Sequence, residues 1–148
     1  MNADRSITLT RLILAAPEAV WRCWTDPSIL PNWFGPEGYS CRTKSIALHQ
    51  GGYWEFDMIG PDGKIWPNRH DYDLYDAPRR IEFRMSDPAA ERHHATVVVT
   101  LVPEANGTRV TQVMTFPTAE ERDAVVQFGA IELGQTTLAK LGVYAAKL

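Results

Sequence analysis

The chain has 148 residues, with 15 basic and 18 acidic side chains and a formal net charge of −3. A single domain of this length can bury a full hydrophobic core without disulfide or metal support. The near balance of charge argues against nucleic acid or an anionic membrane surface as a partner, because both attract strongly basic proteins.

The two cysteines, Cys23 and Cys41, lack the spacing of a zinc-binding or redox motif. We expect both to be reduced thiols of a cytoplasmic protein. The N-terminal residues contain no basic region followed by an apolar run, and no apolar stretch reaches about 18 residues. The sequence therefore predicts a protein that is neither exported nor inserted in a membrane.

The first predicted elements are a strand and two short helices. Residues 5–14 begin by alternating threonine with aliphatic side chains, which indicates a strand. Pro17 suits the first turn of a helix, because its missing N–H is one that a helix start cannot satisfy. Asp26 and Pro27 repeat this start signal and predict a second short helix that ends near Trp33.

A β-meander is predicted for the middle of the chain. Short runs of β-branched and aromatic residues are separated there by glycine-containing turns. The predicted strands cover 39–48, 52–59, 65–75, 80–86, 93–102 and 108–116. Together with the first strand they make seven, and their short links indicate an antiparallel sheet.

A long helix is predicted at the C-terminal end. Thr118 and Glu121 form the Ser/Thr-x-x-Glu capping-box pattern, which is typical of a helix start. Apolar residues then recur at three-to-four spacing, so 119–147 is predicted to be one helix. Each glycine inside it costs roughly 0.8–1 kcal/mol relative to alanine, so we expect close sheet contact, a kink or space for a ligand there. The glycines in question are Gly129, Gly134 and Gly142.

Several short motifs, in this order of elements, carry a family resemblance. They are Ala16-Pro17, Val20-Trp21, Trp24 to Pro27, Leu30, Trp33 to Pro36, Gly51 to Trp54, Pro61 to Gly63, Ala77-Pro78 and Gly107 to Arg109. In this combination the chain resembles the START-like (SRPBCC) superfamily, and within it the type named for the activator of the heat-shock-protein-90 ATPase (the AHSA type).

The resemblance implies the helix-grip fold, which is of the α+β class. One domain, 1–148, would contain a curved seven-stranded antiparallel sheet around the long C-terminal helix, with two short helices after the first strand. The superfamily includes lipid carriers, polyketide cyclases, hormone-binding proteins and co-chaperone domains. It therefore implies a fold and does not choose one function.

Large apolar side chains of the predicted sheet and helices are candidates for the lining of a ligand cavity. Trp54, Phe56 and Met58 share one face of their strand, because successive strand residues point to opposite sides. Such residues either fill the core or line the space that a strongly curved sheet leaves beside a straight helix. The candidate lining residues are Trp33, Phe34, Trp54, Phe56, Met58, Trp66, Tyr72 and Phe128.

Three polar or partly polar residues are candidates for orienting a ligand. His70 and Tyr72 share a strand face if the pairing is regular, but Pro67 cannot donate to the ladder and predicts an edge position or a bulge. Pointing inward, His70 would offer a proton acceptor and Tyr72 a hydroxyl donor. Gln112 interrupts an otherwise apolar face, so its amide must bond to the backbone, to a hydroxyl group or to a ligand.

Signals for catalysis or for a cofactor are weak. The sequence has neither a nucleophile elbow nor a phosphate-binding glycine loop. His93 and His94 are neighbours on a predicted strand, so they face opposite sides and cannot chelate one metal together. We predict no metal and no cofactor, and we assign no catalytic residue.

Three functions remain open at this point. The leading prediction is a protein that binds a small hydrophobic or amphipathic molecule between sheet and helix. A polyketide-cyclase-like enzyme is the less favoured alternative, and it requires His70, Tyr72 or Asp57 inside the cavity. A co-chaperone-like interaction module would instead show an exposed apolar patch over a filled interior, and a homodimer could use a similar patch.

Overall fold

The computed structural model describes residues 2–89 and 92–148, with the backbone alone for 2–3 and 92–94. Its strands are β1 (Ser6–Ile13), β2 (Ser40–Ala47), β3 (Tyr53–Ile59), β4 (Ile65–Asp76), β5 (Arg80–Asp87), β6 (Arg92–Glu104) and β7 (Gly107–Thr115). They form one antiparallel sheet in the order β1-β7-β6-β5-β4-β3-β2. All seven predicted strands are present, and their ends lie within two residues of the predicted ones.

Pro67 lies on a strand that has neighbours on both sides. Strand β4 pairs with β3 along Ile65–Asp71 but with β5 only along Arg69–Asp76, among the described residues. Pro67 therefore occupies a part of β4 with a neighbour on one side only, which agrees with the edge position predicted for a strand proline. The pairing of β4 with β3 passes through Pro67 without a shift, and the irregularity of β4 lies elsewhere, between Tyr72 and Leu74.

The helices are α1 (Pro17–Thr25), α2 (Leu30–Trp33), α3 (Ala119–Gln127) and α4 (Ala130–Ala145), and a short 3-10 helix covers Asn2–Arg5. The prediction that Asp26 caps the second helix and Pro27 begins it is wrong, because α2 begins at Leu30 with Ile29 as its N-cap. The Asp26 carboxylate instead accepts hydrogen bonds from the backbone N–H and the hydroxyl of Ser28, at 2.8 and 2.6 Å. These bonds belong to a local turn that precedes α2.

The prediction of a single helix over 119–147 is also wrong. Helices α3 and α4 are separate, and Gly129 between them has a φ of +102°. This left-handed conformation is costly for residues with a β-carbon and interrupts the helical backbone. The predicted helix start is confirmed, because the Thr118 hydroxyl accepts a hydrogen bond from the N–H of Glu121 at 3.1 Å.

Helix α4 lies across the concave side of the sheet, and its two halves have different surroundings. The buried side chains of α4 are Leu138, Leu141 and Ala145, all in its C-terminal half. A β-carbon added at Gly134 would lie 2.3 Å from Cδ1 of Leu9, so the helix meets β1 closely at that glycine. The N-terminal half of α4, together with α3, covers a space that the core does not fill.

Candidate functional site

A cavity of about 570 Å³ lies between the sheet and the two C-terminal helices. Strands β3 to β7 supply one side, α3 and the N-terminal half of α4 supply the other, and the loop after α2 closes one end. The volume is in the range of roughly 300–1,000 Å³ that is usual for small-molecule sites. Its lining includes Phe34, Met58, Trp66, Asn68, Met85, Gln112, Met114, Phe116, Glu121, Val125, Phe128, Leu133 and Thr137.

Three methionines contribute to the lining of this cavity. Met58, Met85 and Met114 come from three different strands, β3, β5 and β7, and they are all the methionines of the chain except Met1. An unbranched thioether side chain has three rotatable bonds and adapts to irregular shapes. The cavity surface is therefore apolar and can adjust to its contents.

Two aromatic residues mark the opening of the cavity. Trp66 and Phe128 both line it, yet their side chains are 37% and 62% exposed. Their ring centroids lie 6.1 Å apart in an edge-to-face arrangement. Phe128 directly precedes Gly129, so the break between α3 and α4 brings it to the opening. Lys64 places its ammonium 4.0 Å from the Trp66 ring centroid.

Trp54 and Phe56 do not line the cavity, contrary to the prediction. Their rings stack at 3.7 Å and are 0% and 1% exposed. Phe34 packs against both rings edge to face, at 5.5 and 6.1 Å, and itself faces the cavity. The Phe34 ring therefore forms the boundary between a filled aromatic core and the open space.

Trp33 also belongs to the filled part of the molecule. Its side chain is fully buried, and its indole N–H donates to the carbonyl of Cys23 on α1 at 2.9 Å. The ring packs edge to face against Trp24, at 4.8 Å between centroids. The prediction that Trp33 lines the cavity is wrong, because α2 directs this side chain toward α1.

His70 and Tyr72 point to the concave side of the sheet but do not reach the cavity. The His70 ring stacks on Phe83 at 4.5 Å and contacts Phe34 edge to face at 5.3 Å. Tyr72 is also buried. Its burial, and to a smaller extent the nearby Tyr75, raises the pKa of its hydroxyl well above the usual range. Neither residue lines the cavity, contrary to the prediction, because aromatic rings fill this end of the concave side.

Asp57, the third residue that the cyclase-like alternative could use, faces away from the cavity. Its carboxylate lies 3.1 Å from Nη2 of Arg42 and 3.5 Å from Nζ of Lys44, on the neighbouring strand β2. The hydrogen bond from Arg42 is the main reason that the pKa of Asp57 is lowered, and Lys44 acts in the same direction. None of the three residues named for that alternative lies on the cavity lining.

Gln112 lies on the cavity lining, on the side of its strand that the alternation of side chains predicts. Its backbone lies between Leu9 on β1 and Val99 on β6, both of which are buried. Its side-chain amide forms no hydrogen bond with the part of the chain that the structure describes. Of the ten residues predicted to contact a ligand, those on the lining are Phe34, Met58, Trp66, Gln112 and Phe128.

The comparisons with known proteins identify a family and a fold. Residues 14–146 match the family model described as activator of Hsp90 ATPase homolog 1-like protein. A solved structure from Nitrosomonas europaea is 25% identical, has a TM-score of 0.87, and matches over 99% of this chain and 97% of that one. One from Mycobacterium smegmatis is 24% identical, with a TM-score of 0.86 and coverage of 99% and 94%.

A third similar structure is the AHSA1-like protein from Aeromonas hydrophila, at 24% identity, a TM-score of 0.71 and coverage of 96% and 92%. The curated proteins gave no significant match. The predicted seven-stranded α+β fold is confirmed by this agreement over nearly the whole chain. These likenesses concern the architecture of the chain.

Two further findings apply to residues 2–89 and 92–148. Within them no helix is both long enough and apolar enough to cross a membrane. Their His, Cys, Asp and Glu side chains form no group of three or more that could hold a metal ion. The side chains of His93 and His94 lie outside the described residues.

Proposed function

The chain belongs to the family of activator of Hsp90 ATPase homolog 1-like proteins, and on this basis we propose that it binds a small apolar or amphipathic molecule in the cavity between its sheet and C-terminal helices. The family and its fold are consistent with a ligand-binding or a co-chaperone-like domain. The cavity favours the first of these. The ligand would contact Phe34, Met58, Trp66, Gln112 and Phe128.

One observation carries the proposal: an apolar space of about 570 Å³ remains open beside an aromatic core that is closely packed. Atoms that line an empty space lose dispersion contacts, and exposed apolar surface is unfavourable in water. The rings of Trp66 and Phe128 lie at the opening of the cavity and do not fill its interior. A ligand that enters would regain contacts along the whole lining.

The other two functions receive less support from the same geometry. The cyclase-like alternative requires His70, Tyr72 or Asp57 in the cavity, and none of them lines it. The interaction module requires a filled interior under an exposed apolar patch, whereas this interior is open. The two cysteines are free thiols, which supports our proposal of a cytoplasmic location.

Binding of 1,6-diphenylhexatriene, a hydrocarbon whose fluorescence rises in apolar surroundings, tests the proposal. We expect saturable binding to the purified protein. Met114→Trp should weaken it at least tenfold, because a larger side chain would occupy the cavity. Val113→Trp is the matched control, since Val113 is the next residue on β7 and does not line the cavity.

Two results would contradict the proposal. One is the absence of saturable binding by the unaltered protein. The other is equal weakening, or equal retention, of binding in the two tryptophan variants, because the probe would then bind somewhere other than the cavity. Native mass spectrometry of the freshly purified protein would in addition show any co-purified molecule and the oligomeric state.

A further inference from the structure

We propose that the cavity recognises an uncharged ligand with one hydrogen-bonding group on an apolar body, for example a ketone, an amide or an alcohol, and that Gln112 binds this group. The inference rests on the proposed function and adds to it the chemical class of the ligand. The lining is mostly apolar, and Gln112 is one of its few polar side chains.

The Gln112 amide is held in place while its hydrogen-bonding capacity is unused. Its strand pairs on both sides, with Leu9 and Val99 as the buried residues opposite, so the backbone is fixed. The amide offers an N–H donor and a carbonyl acceptor, and neither is bonded to a described residue. A half-buried amide in apolar surroundings gains from a partner, and a ligand in the cavity can supply one.

Two other uncharged polar side chains of the lining already have partners within the protein. Asn68 donates through Nδ2 to the carbonyl of Trp66 at 2.9 Å. Thr137 donates through its hydroxyl to the carbonyl of Leu133 at 3.4 Å. Gln112 is therefore the amide of the lining with both its donor and its acceptor available to a ligand.

The charges around the cavity favour a ligand that is not an anion. Among the described residues that line it there is no Lys, Arg or His, and Glu121 is the charged residue. Lys64 lies over the Trp66 ring, and Lys140 donates to the carbonyl of Gly35 at 3.0 Å, but neither lines the cavity. A carboxylate that entered would lose its hydration without a described cation to replace it.

Competition against bound 1,6-diphenylhexatriene tests this inference. The competitors are 2-decanone and decanoate, which share an apolar chain and differ in charge, since decanoate is ionised near pH 8. With the unaltered protein, we expect 2-decanone to displace the probe at a concentration at least tenfold below that of decanoate. Because the probe has no hydrogen-bonding group, its affinity is measured for each variant and serves as that variant's reference for competition.

The Gln112→Leu variant should bind 2-decanone roughly fivefold more weakly, the effect expected for one lost hydrogen bond. Gln135→Leu makes the same change on α4 outside the cavity and should leave both competitors unaffected. If Gln112→Leu does not fold, Gln112→Met takes its place in the experiment. The comparison of 2-decanone with decanoate uses the unaltered protein and does not depend on a variant.

The outcomes separate this inference from the function on which it rests. If the hydrocarbon probe does not bind, the proposed function fails and the inference fails with it. If the probe binds but decanoate competes as well as 2-decanone, or if the Gln112 variants bind the ketone normally, the inference alone is overturned.

Discussion

At the scale of single residues, strand parity predicts which side of the sheet a side chain faces but not what it meets there. Trp66 and Gln112 lie on the concave side of their strands, and both line the cavity. His70 and Tyr72 face the same side by the same rule, yet they are buried among aromatic rings. The difference is set by Phe34, which comes from a loop with no periodic pattern to predict it.

Some lining residues were missed although the sequence contained a signal for them. Met114 is two residues from Gln112 on β7 and therefore points to the same side of the sheet. The same alternation could have assigned Met85, on β5, to the concave side. Glu121 was recognised as part of a helix cap. Its place on the lining depends on the angle between α3 and α4, which the sequence pattern did not show.

Burial of the two cysteines predicts that their thiols react slowly in the folded protein. Burial raises the pKa of Cys23 to about 11 and that of Cys41 to about 12. Because the thiolate is the reactive form, both should react with Ellman's reagent at least a hundredfold more slowly in the folded protein than in the unfolded chain, near pH 8. Absorbance with and without guanidinium chloride measures the two rates.

Cys41→Ser provides the control for that measurement, because it leaves Cys23 as the only thiol. Cys41 donates through Sγ to the carbonyl of Phe34 at 3.3 Å, and a serine hydroxyl can retain that bond. Rapid reaction of one thiol per folded chain would show that the side chain concerned is accessible, and the prediction would be wrong for it.

At the scale of elements, the three glycines of the C-terminal segment differ in ways that their cost in a helix does not distinguish. Gly129 adopts a φ of +102° and separates α3 from α4. Gly134 permits close contact with Leu9, whereas a β-carbon at Gly142 would meet Cδ1 of Ile13 at 3.4 Å, an ordinary contact. These differences follow from how α4 crosses β1, which is a tertiary feature.

Two alanine substitutions test this difference. Gly134→Ala places a β-carbon 2.3 Å from Cδ1 of Leu9. It should lower the free energy of unfolding by about 1–2 kcal/mol, because overpacking costs more than the better helix propensity returns. Gly142→Ala should raise that free energy by up to about 1 kcal/mol. Urea unfolding followed by circular dichroism measures both, and equal stabilisation by the two would contradict the close contact with β1.

At the scale of the whole molecule, local signals predict the sheet but leave the cavity undetermined. Turn residues and a two-residue period fix each hairpin within its own stretch of chain, so the seven strands could be predicted. The cavity lies where α3 and the N-terminal half of α4 face strands β3 to β7, whereas the buried residues of α4 are in its C-terminal half. Whether side chains fill that gap depends on contacts between distant segments, such as the one between Gly134 and Leu9.

The last prediction concerns the stability of the fold at alkaline pH. Burial is the main cause of the raised pKa of Cys23, Cys41, Tyr72 and Tyr75. Each group is neutral in the folded state and ionises more readily in the unfolded chain, near the ordinary values of 9.0 for cysteine and 10.0 for tyrosine. Their stabilising contribution is therefore fully present below about pH 9 and is lost as the pH rises beyond it.

Each such group should lower the free energy of unfolding by about 1.4 kcal/mol per pH unit, between its unfolded and folded pKa values. Urea midpoints measured at increasing alkaline pH test this. Tyr72→Phe should make the fall in the free energy of unfolding with pH less steep, by the contribution of one ionisable group. The hydroxyl of Tyr75 has no hydrogen-bond partner among the described residues, so Tyr75→Phe removes an ionisable group without breaking a bond. A midpoint that stays constant while tyrosine absorbance shows ionisation would mean that these hydroxyls reach water in the folded protein.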